Sequence, residues 1–385
     1  MIRVANGVAM ELLAAHQRDL NCLSDESRQT RRRALERLAP LASPHPHPSL
    51  LSFWTQALCA PTLKLFSDPV EKCRELAICL ATEVVRTVPA AAAHTLPPLM
   101  PVLLSRLVPS SAAPDEASEE IRLLLLQLTE LAVQACGEAS GEQAAPLVQV
   151  LCACLSDAFP EAKKAGCALI LKVTAVMPEP IVPHCATLAA ALQPCLTHQH
   201  SRVRALATEA LVALLILEPS PLVEMVPQLA LITTDRAPSV REQAVHSIAE
   251  LLARMPQRRV HAARLLPLLL CALSDEVESW APSFEHFWLL IPLYPAHMCT
   301  HSMLARRLSR FLALTSAHSH SLMRSHTLSK LPPKIPPYYR ALSHNRSRHV
   351  ARKHACRHLA QLMIHSLSST RGLVSMLHSS TCFHV

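Results

Sequence analysis

Residues Arg18–Leu38 read RDLNCLSDESRQTRRRALERL, and this stretch holds the pattern that decides the fold. Asp25 is followed six residues later by Arg31, nine residues later by Ala34 and twenty-one residues later by Pro46. The same offsets return further along the chain, which indicates a structural repeat.

The polar position and the basic position six residues after it occur together six times. The pairs are Asp25 and Arg31, Asp68 and Arg74, Glu116 and Arg122, Asp157 and Lys163, His198 and Arg204, and Asp235 and Arg241. Successive basic residues are separated by 43, 48, 41, 41 and 37 residues, so the period is near forty. A seventh turn begins at Leu273–Asp275, but Ala281 replaces its basic residue and the pattern stops there.

Each offset has a physical reason in a unit of two helices joined by a turn. An aspartate that closes the turn can N-cap the second helix by accepting a backbone N–H. A small residue nine positions on lets two helices approach closely, and a proline twenty-one positions on cannot continue the helix. Helical apolar spacing predicts second helices at Arg74–Val88 and Val203–Leu217. The predicted first helices are Leu51–Leu65, Leu96–Leu107, Ala145–Leu155, Cys185–Leu196, Leu222–Ile232 and Val260–Leu273.

One helix pair cannot bury its apolar face alone, whereas stacked pairs can. The sequence therefore predicts an all-α solenoid over residues 1–290, with about six complete helix pairs, a degenerate seventh and a concave face lined by second helices. The six polar and basic pairs are predicted to meet across adjacent turns and to form a structural ladder that holds repeat to repeat.

Composition argues against several classes of enzyme. Only five of the 385 residues are glycine, beside 31 prolines, 50% apolar residues and 3% aromatic residues. Phosphate-binding loops, dinucleotide-binding folds and β-hairpins all need glycine. No nucleophile-elbow or catalytic Cys/His signature is found, and the carboxylate pair Glu119 and Glu120 is typical of a helix start. The sequence predicts no catalytic residue and no cofactor.

Three groups of potential metal ligands are interpreted in other ways. Cys152 and Cys154 lack a second ligand pair and are interpreted as core thiols, while His198 and His200 are expected in a turn. The best-spaced group consists of His349, His354, Cys356 and His358. Because histidines are spread throughout that segment, we interpret their spacing as accidental and predict no metal site.

The formal net charge of +8 is unevenly distributed. Glu285 is the last acidic residue, and residues 286–385 contain 13 Lys and Arg and 13 His, so the preceding residues hold 24 basic against 29 acidic side chains. We therefore expect residues 291–385 to be a separate, poorly ordered tail, either an aberrant or alternative terminus or a disordered arm. Such an arm could bind nucleic acid or anionic lipid, with phosphate contacts from Arg346–Arg357 and base stacking on Tyr338–Tyr339. The charge of the array does not favour a nucleic-acid partner.

The sequence carries no signal for a membrane or for secretion. Glu11 interrupts the N-terminal apolar stretch, and no apolar run reaches 18 residues. The 14 cysteines show no disulfide spacing, which is typical of free, mostly buried thiols in a reducing compartment. We expect a soluble cytoplasmic protein without a membrane partner.

The period near forty, with an acid in the turn and Arg or Lys six residues on, resembles the HEAT repeat over residues 10–285. Four segments further resemble successive repeats of the dynein axonemal assembly factor 5 (HEAT repeat-containing protein 2) family: Arg18–Leu38, Ser67–Ile78, Ser156–Cys167 and Thr197–Ala210. This resemblance implies a non-enzymatic cytoplasmic scaffold for preassembly of axonemal dynein arms destined for motile cilia. Its implied partners are dynein chains, the intermediate chain among them, and chaperone machinery.

The fold by itself leaves another function open. Stacked helical repeats hold extended partners along a rigid surface in many contexts. A HEAT-repeat transport adaptor or a phosphatase scaffold is therefore the alternative interpretation.

Overall fold

A computed structural model describes residues 2–43, 46–109, 115–255 and seven positions from 260 to 269. The chain divides into two compact units, Met1–Gln228 and Leu229–Val385. The predicted degenerate repeat after Leu273, the tail from residue 291 and the histidine group around Cys356 lie outside the described residues.

The first unit contains five helix pairs. The first helices are α1 (Ile2–Cys22), α3 (Leu50–Phe53) continued through a π turn into α4 (Cys59–Lys64), α6 (Ala92–Leu107), α8 (Ala144–Ser156), and α10 (Pro178–Ile181) followed by α11 (Cys185–Leu196). The second helices are α2 (Arg28–Leu38), α5 (Glu71–Thr87), α7 (Glu119–Cys136), α9 (Pro160–Val176) and α12 (Ser201–Leu217). Then α13 (Leu222–Ile232) spans the boundary between units, and α14 (Pro238–Arg254) lies in the second unit.

The helices of the first unit form two layers. Each second helix packs on the next, α2 on α5, α5 on α7, α7 on α9 and α9 on α12. The first helices stack in the same order, α4 on α6, α6 on α8 and α8 on α11. No strand occurs in the part of the chain that the structure describes. The predicted all-α solenoid of HEAT-type helix pairs is therefore confirmed.

Proline ends most second helices at the predicted place. α5, α9 and α12 end at Thr87, Val176 and Leu217, and each is followed by a proline two residues later. α7 ends at Cys136, and Gly137 follows with a positive φ of 61°, which glycine adopts without a steric clash because it has no Cβ.

The first repeat departs from this prediction. α2 ends at Leu38, eight residues before the expected terminator Pro46. Pro40 has no backbone N–H to donate into the preceding turn, so Ala39–Ala42 form a 3-10 turn instead. Pro46 is therefore the wrong terminator for this helix.

Small residues nine positions after the turn pack where neighbouring helices come close. Ala34, Ala77 and Ala207 are fully buried. At the equivalent position in α9, a Cβ added to Gly166 would stand 3.2 Å from the Cβ of Cys154. This close approach packs α9 tightly against α8, the first helix of its own pair.

Candidate functional site

All six turns share one hydrogen bond from the backbone to the polar side chain. The backbone N–H two residues later is the donor, and the acceptors are Asp25, Asp68, Glu116, Asp157, His198 and Asp235. The donor residue is itself the N-cap, and each second helix begins one residue after it. The prediction that the aspartate is the N-cap is therefore wrong, because it stabilises the turn that precedes the helix.

In five of the six repeats, the basic residue six positions after the polar residue is an arginine, and it forms a hydrogen bond to the backbone of the same turn. Nη1 of the arginine donates to the backbone carbonyl of the polar residue six positions earlier, over 2.6 to 3.0 Å. The five arginines are Arg31, Arg74, Arg122, Arg204 and Arg241. Each of these turns is thus fixed by at least two hydrogen bonds, one to the side chain and one to the carbonyl of the same polar residue.

Three of these arginines, Arg31, Arg74 and Arg122, also donate to a carboxylate of the next repeat. Arg31 makes a forked contact with Asp68, with Nε to Oδ2 at 2.6 Å and Nη2 to Oδ1 at 3.0 Å. Arg122 contacts Asp157 in the same way, at 2.7 and 2.9 Å. Two parallel bonds to a carboxylate are stronger and more directional than one. The paired residues lie 37 positions apart for Arg31 and Asp68 and 35 positions apart for Arg122 and Asp157, so each pair joins the turns of successive repeats.

We call each contact between a basic residue and the polar residue of the next repeat a junction. At the junction between Arg74 and Glu116, a second arginine, Arg106, also contacts the carboxylate. Nη2 of Arg74 donates to Oε1 of Glu116 at 2.9 Å, and Arg106, at the end of α6, pairs with the other carboxylate oxygen. The Glu116 side chain is completely buried. Burial raises its pKa, but hydrogen bonds from Arg106, from the Ser118 N–H and from Arg74 outweigh burial and hold the pKa below its ordinary value. Glu116 is therefore a buried carboxylate between two arginines.

The fourth junction, between Lys163 and His198, lacks this ion pair. Nζ of Lys163 donates to the Leu155 carbonyl at 2.6 Å, near the end of α8. His198 accepts the His200 N–H through Nδ1 at 3.2 Å, so its ring replaces an aspartate in the turn. Burial lowers the pKa of His198, and the charges of Lys163, His200 and Arg204 lower it further. The turn is preserved here with a neutral imidazole and without a carboxylate.

The structure also locates the other candidate residues. Cys154 is buried, Cys152 is half-buried, and burial raises the pKa of both thiols. His200 is exposed beside His198, with ring centroids 5.3 Å apart. Within the described ranges, no three His, Cys, Asp or Glu residues form a potential metal site, and no helix has the length and apolar character needed to cross a bilayer.

Sequence reasoning missed Arg106. It stands ten residues before Glu116 and outside the repeating template. Two features could have indicated it: Arg106 is a basic residue in the last turn of α6, and the polar residue of the turn that follows is a glutamate instead of an aspartate. The longer side chain places its carboxylate between two arginines.

The stacked helix pairs and the arginine-to-acid ladder define a HEAT-type helical-repeat protein. A family model described as "Dynein axonemal assembly factor 5-like, TPR repeats" matches residues 22–292, and the chain belongs to that family. The repeat spacing of 37 to 48 residues in this chain is longer than the tetratricopeptide period of about 34, and it fits the HEAT-type period instead.

Relatives in two vertebrates show the extent of the match. The chain is 31% identical over 280 residues to dynein axonemal assembly factor 5 of Xenopus laevis, covering 72% of this chain and 33% of the relative. It is 33% identical over 276 residues to the Homo sapiens protein of the same name, covering 70% of this chain and 32% of the relative. The chain thus spans about a third of the length of the curated relatives it matches.

Two solved structures are similar to part of this chain. The match to a designed armadillo repeat protein covers 61% of this chain and 98% of the designed protein, with 20% identity and a TM-score of 0.42. The karyopherin Kap121p bound to Pho4p covers 77% of this chain and 33% of its own, with 14% identity and a TM-score of 0.42.

Proposed function

We propose that this chain is a non-enzymatic scaffold that acts in the cytoplasm during preassembly of axonemal dynein arms destined for motile cilia. Membership of the dynein axonemal assembly factor 5 family is the observation that carries this proposal. Dynein chains, or the chaperones that fold them, are the proposed partners, held along the stacked second helices.

The ladder supports a structural role for its own residues. Arg31, Arg74 and Arg122 divide their donors between turn carbonyls and the carboxylate of the next repeat. A side chain held at both ends has little freedom to bind or activate a substrate. We therefore assign the ladder to repeat stacking and place partner binding on the exposed helix faces.

The domain boundary is part of the same proposal. Residues 1–290 form the repeat array, and residues 291–385 are a separate basic tail that the scaffold function does not require. A chain ending at residue 290 should therefore recover the same partners as the full chain.

Affinity purification from multiciliated cells tests the function. The tagged full chain is the bait, and the same bait in cells held before ciliogenesis is the control. We expect dynein subunits and chaperone components to be enriched only when cilia are being built. Nuclear transport cargo or a phosphatase catalytic subunit in their place would instead favour the adaptor or phosphatase-scaffold alternative.

A further inference from the structure

The fourth junction differs from the ion-paired junctions in both of its partners. At the junctions formed by Arg31 and Arg122, a guanidinium fork meets a carboxylate that also closes the turn. At the fourth junction, lysine replaces the arginine and histidine replaces the aspartate. A cation therefore remains at position 163, whereas position 198 does not supply the anion that balances it in the other repeats.

Lys163 has donors left for a ligand. Its ammonium carries three N–H groups, and the hydrogen bonds of the described residues use one of them, to the Leu155 carbonyl at 2.6 Å. A neutral carbonyl does not balance the charge of the lysine. The side chain is half-buried, so part of it is accessible to solvent. Lys163 thus differs from the arginines of the ion-paired junctions, which are held at both ends.

The nearest acids in the sequence are engaged with other cations. Asp157 is held by the forked Arg122 at 2.7 and 2.9 Å. Glu161, in the first turn of α9, pairs with Lys164. Lys163 forms no ion pair in the part of the chain that the structure describes. Its positive charge therefore has no counter-charge within those residues.

The His198 ring supplies a second donor in place of an acceptor. Its Nδ1 accepts the His200 N–H at 3.2 Å, so the proton of the neutral imidazole lies on Nε2. The pKa of His198 is lowered by burial and then by the charges of Lys163, His200 and Arg204, all of which are basic. The fourth junction thus contains two donors, where the ion-paired junctions contain a donor and an acceptor.

We propose that the fourth junction binds a phosphate group. The phosphate takes the place of the missing carboxylate, accepts hydrogen bonds from Nζ of Lys163 and Nε2 of His198, and balances the charge of the lysine. Two exposed basic residues, His200 and Arg202, follow within four positions of His198 and add positive charge near the group. We call Lys163 and His198 the phosphate site. This inference goes beyond the proposed scaffold function and does not depend on it.

The residue types favour phosphate over a carboxylate. The planar arginine fork matches the two oxygens of a carboxylate, as at Asp68 and Asp157. Lysine is instead a compact charge with three rotatable donors, and the imidazole donor belongs to a separate ring. A phosphorylated side chain offers three acceptor oxygens and a charge of about −2, which suits donors that do not lie in one plane.

A single phosphate fits this site better than a nucleic acid does. A nucleic acid needs phosphate contacts repeated along its backbone, whereas the turns of the preceding repeats carry their own carboxylates, at Asp68, Glu116 and Asp157. Free phosphate and a phosphorylated side chain of a partner protein offer the same chemistry. The binding assay therefore compares these two sources.

Fluorescence anisotropy with a labelled peptide tests the inference. The probe is a fluorescein-labelled peptide of glycine and alanine around one phosphoserine, titrated with the full chain, and its unphosphorylated form is the reference. We expect saturable binding of the phosphorylated peptide alone, weakening as salt rises. Displacement by inorganic phosphate at the peptide's own Kd identifies free phosphate as the ligand. A requirement for at least about tenfold more inorganic phosphate identifies a phosphorylated side chain.

The decisive variant is His198→Asp, which introduces the residue found in the ion-paired turns. Its carboxylate keeps an acceptor for the His200 N–H, balances Lys163 and repels phosphate, so peptide binding should weaken at least about tenfold. The variant should stay folded, with a urea midpoint no lower than that of wild type. The double variant Lys163→Arg and His198→Asp should be more stable than wild type and also lose binding. Opposite changes in stability and affinity separate loss of the phosphate site from loss of the fold.

The matched control is His94→Asp, which makes the same substitution at an exposed histidine of α6 in the first-helix layer. Its affinity for the phosphoserine peptide should stay within about twofold of wild type, because distant surface charges are screened. Equal binding by wild type and His198→Asp, or equal binding of the phosphorylated and unphosphorylated peptides, overturns the inference. A glutamate peptide that binds as tightly as the phosphoserine peptide overturns the assignment to phosphate. None of these outcomes bears on the recovery of dynein subunits, which tests the proposed function separately.

Discussion

The junctions at Arg31–Asp68 and Arg122–Asp157 differ from the one at Lys163 and His198, although the turns are built alike. In the first two, the polar residue both accepts a backbone N–H and receives a forked arginine from the preceding repeat. At His198 only the first contact is made, through Nδ1. The hydrogen bond that closes a turn can therefore form without the ion pair that joins the turn to the preceding repeat. Any acceptor at the right place closes the turn, but only a carboxylate facing an arginine joins it to its neighbour.

The largest effect is expected at the buried carboxylate. Glu116→Ala leaves the buried Arg74 and the half-buried Arg106 without their counter-charge, which should cost about 3–5 kcal/mol of unfolding free energy. Urea unfolding followed by circular dichroism measures the change. The exposed Glu142→Ala is the control, with a change below about 0.5 kcal/mol. Similar losses in the two variants would contradict a role for the ladder in stacking.

A smaller loss of unfolding free energy is expected when the arginine of an ion-paired junction is replaced by lysine, the residue found at position 163. Arg122→Lys removes the fork on Asp157 and the bond to the Glu116 carbonyl, which should cost on the order of 1–3 kcal/mol. Arg86→Lys, at an exposed ion pair with Glu83, should change stability by less than about 0.5 kcal/mol. Urea midpoints of both variants supply the comparison, and equal shifts would speak against the fork.

The reverse conversion should stabilise the chain. Lys163→Arg combined with His198→Asp gives the fourth junction the residues of the third, and the introduced carboxylate keeps an acceptor for the turn. We expect a gain on the order of 1 kcal/mol, with the double variant exceeding the sum of the single changes. A double-mutant cycle in thermal unfolding measures this coupling, and strict additivity would show that the two positions do not meet.

The smallest effect concerns pH. Because the pKa of folded His198 lies below its ordinary value, the contribution of the neutral ring is complete above about pH 6.5, the unfolded value. It is lost as pH falls through the folded pKa, when the unfolded chain binds more protons. His198→Asn keeps a turn acceptor but does not titrate. Melting temperatures between pH 7.5 and 5 should therefore fall slightly less in the variant than in wild type, and parallel curves would argue against a neutral His198.

Much of the architecture follows from the sequence because it depends on short-range offsets. The predicted first helices Cys185–Leu196 and Leu222–Ile232 have the bounds found in the structure. The turn positions recur because six residues always separate the polar side chain from the arginine that contacts its carbonyl. Such local geometry can be predicted from spacing alone.

What could not be predicted depends on side-chain reach. Lys163 and Arg122 occupy the same template position, yet Lys163 turns back to Leu155 while Arg122 reaches Asp157. Arg106 contacts Glu116 from outside the template, across a loop whose length is particular to that repeat. The early end of α2 similarly reflects Pro40, which the general pattern does not contain. These outcomes are set by the three-dimensional position of single side chains.

The polar and basic residues of each repeat are always six positions apart, whereas successive basic residues are separated by a variable 37 to 48 residues. Each repeat in the ion-paired part of the stack contributes one carboxylate toward the preceding repeat and one arginine toward the following one. A segment cut from turn to turn therefore carries the same pair of connectors at its two ends, whatever its internal length. Gene duplication, deletion or shuffling of whole segments leaves those connectors matched, so such arrays can change in length during evolution without redesign of their contacts.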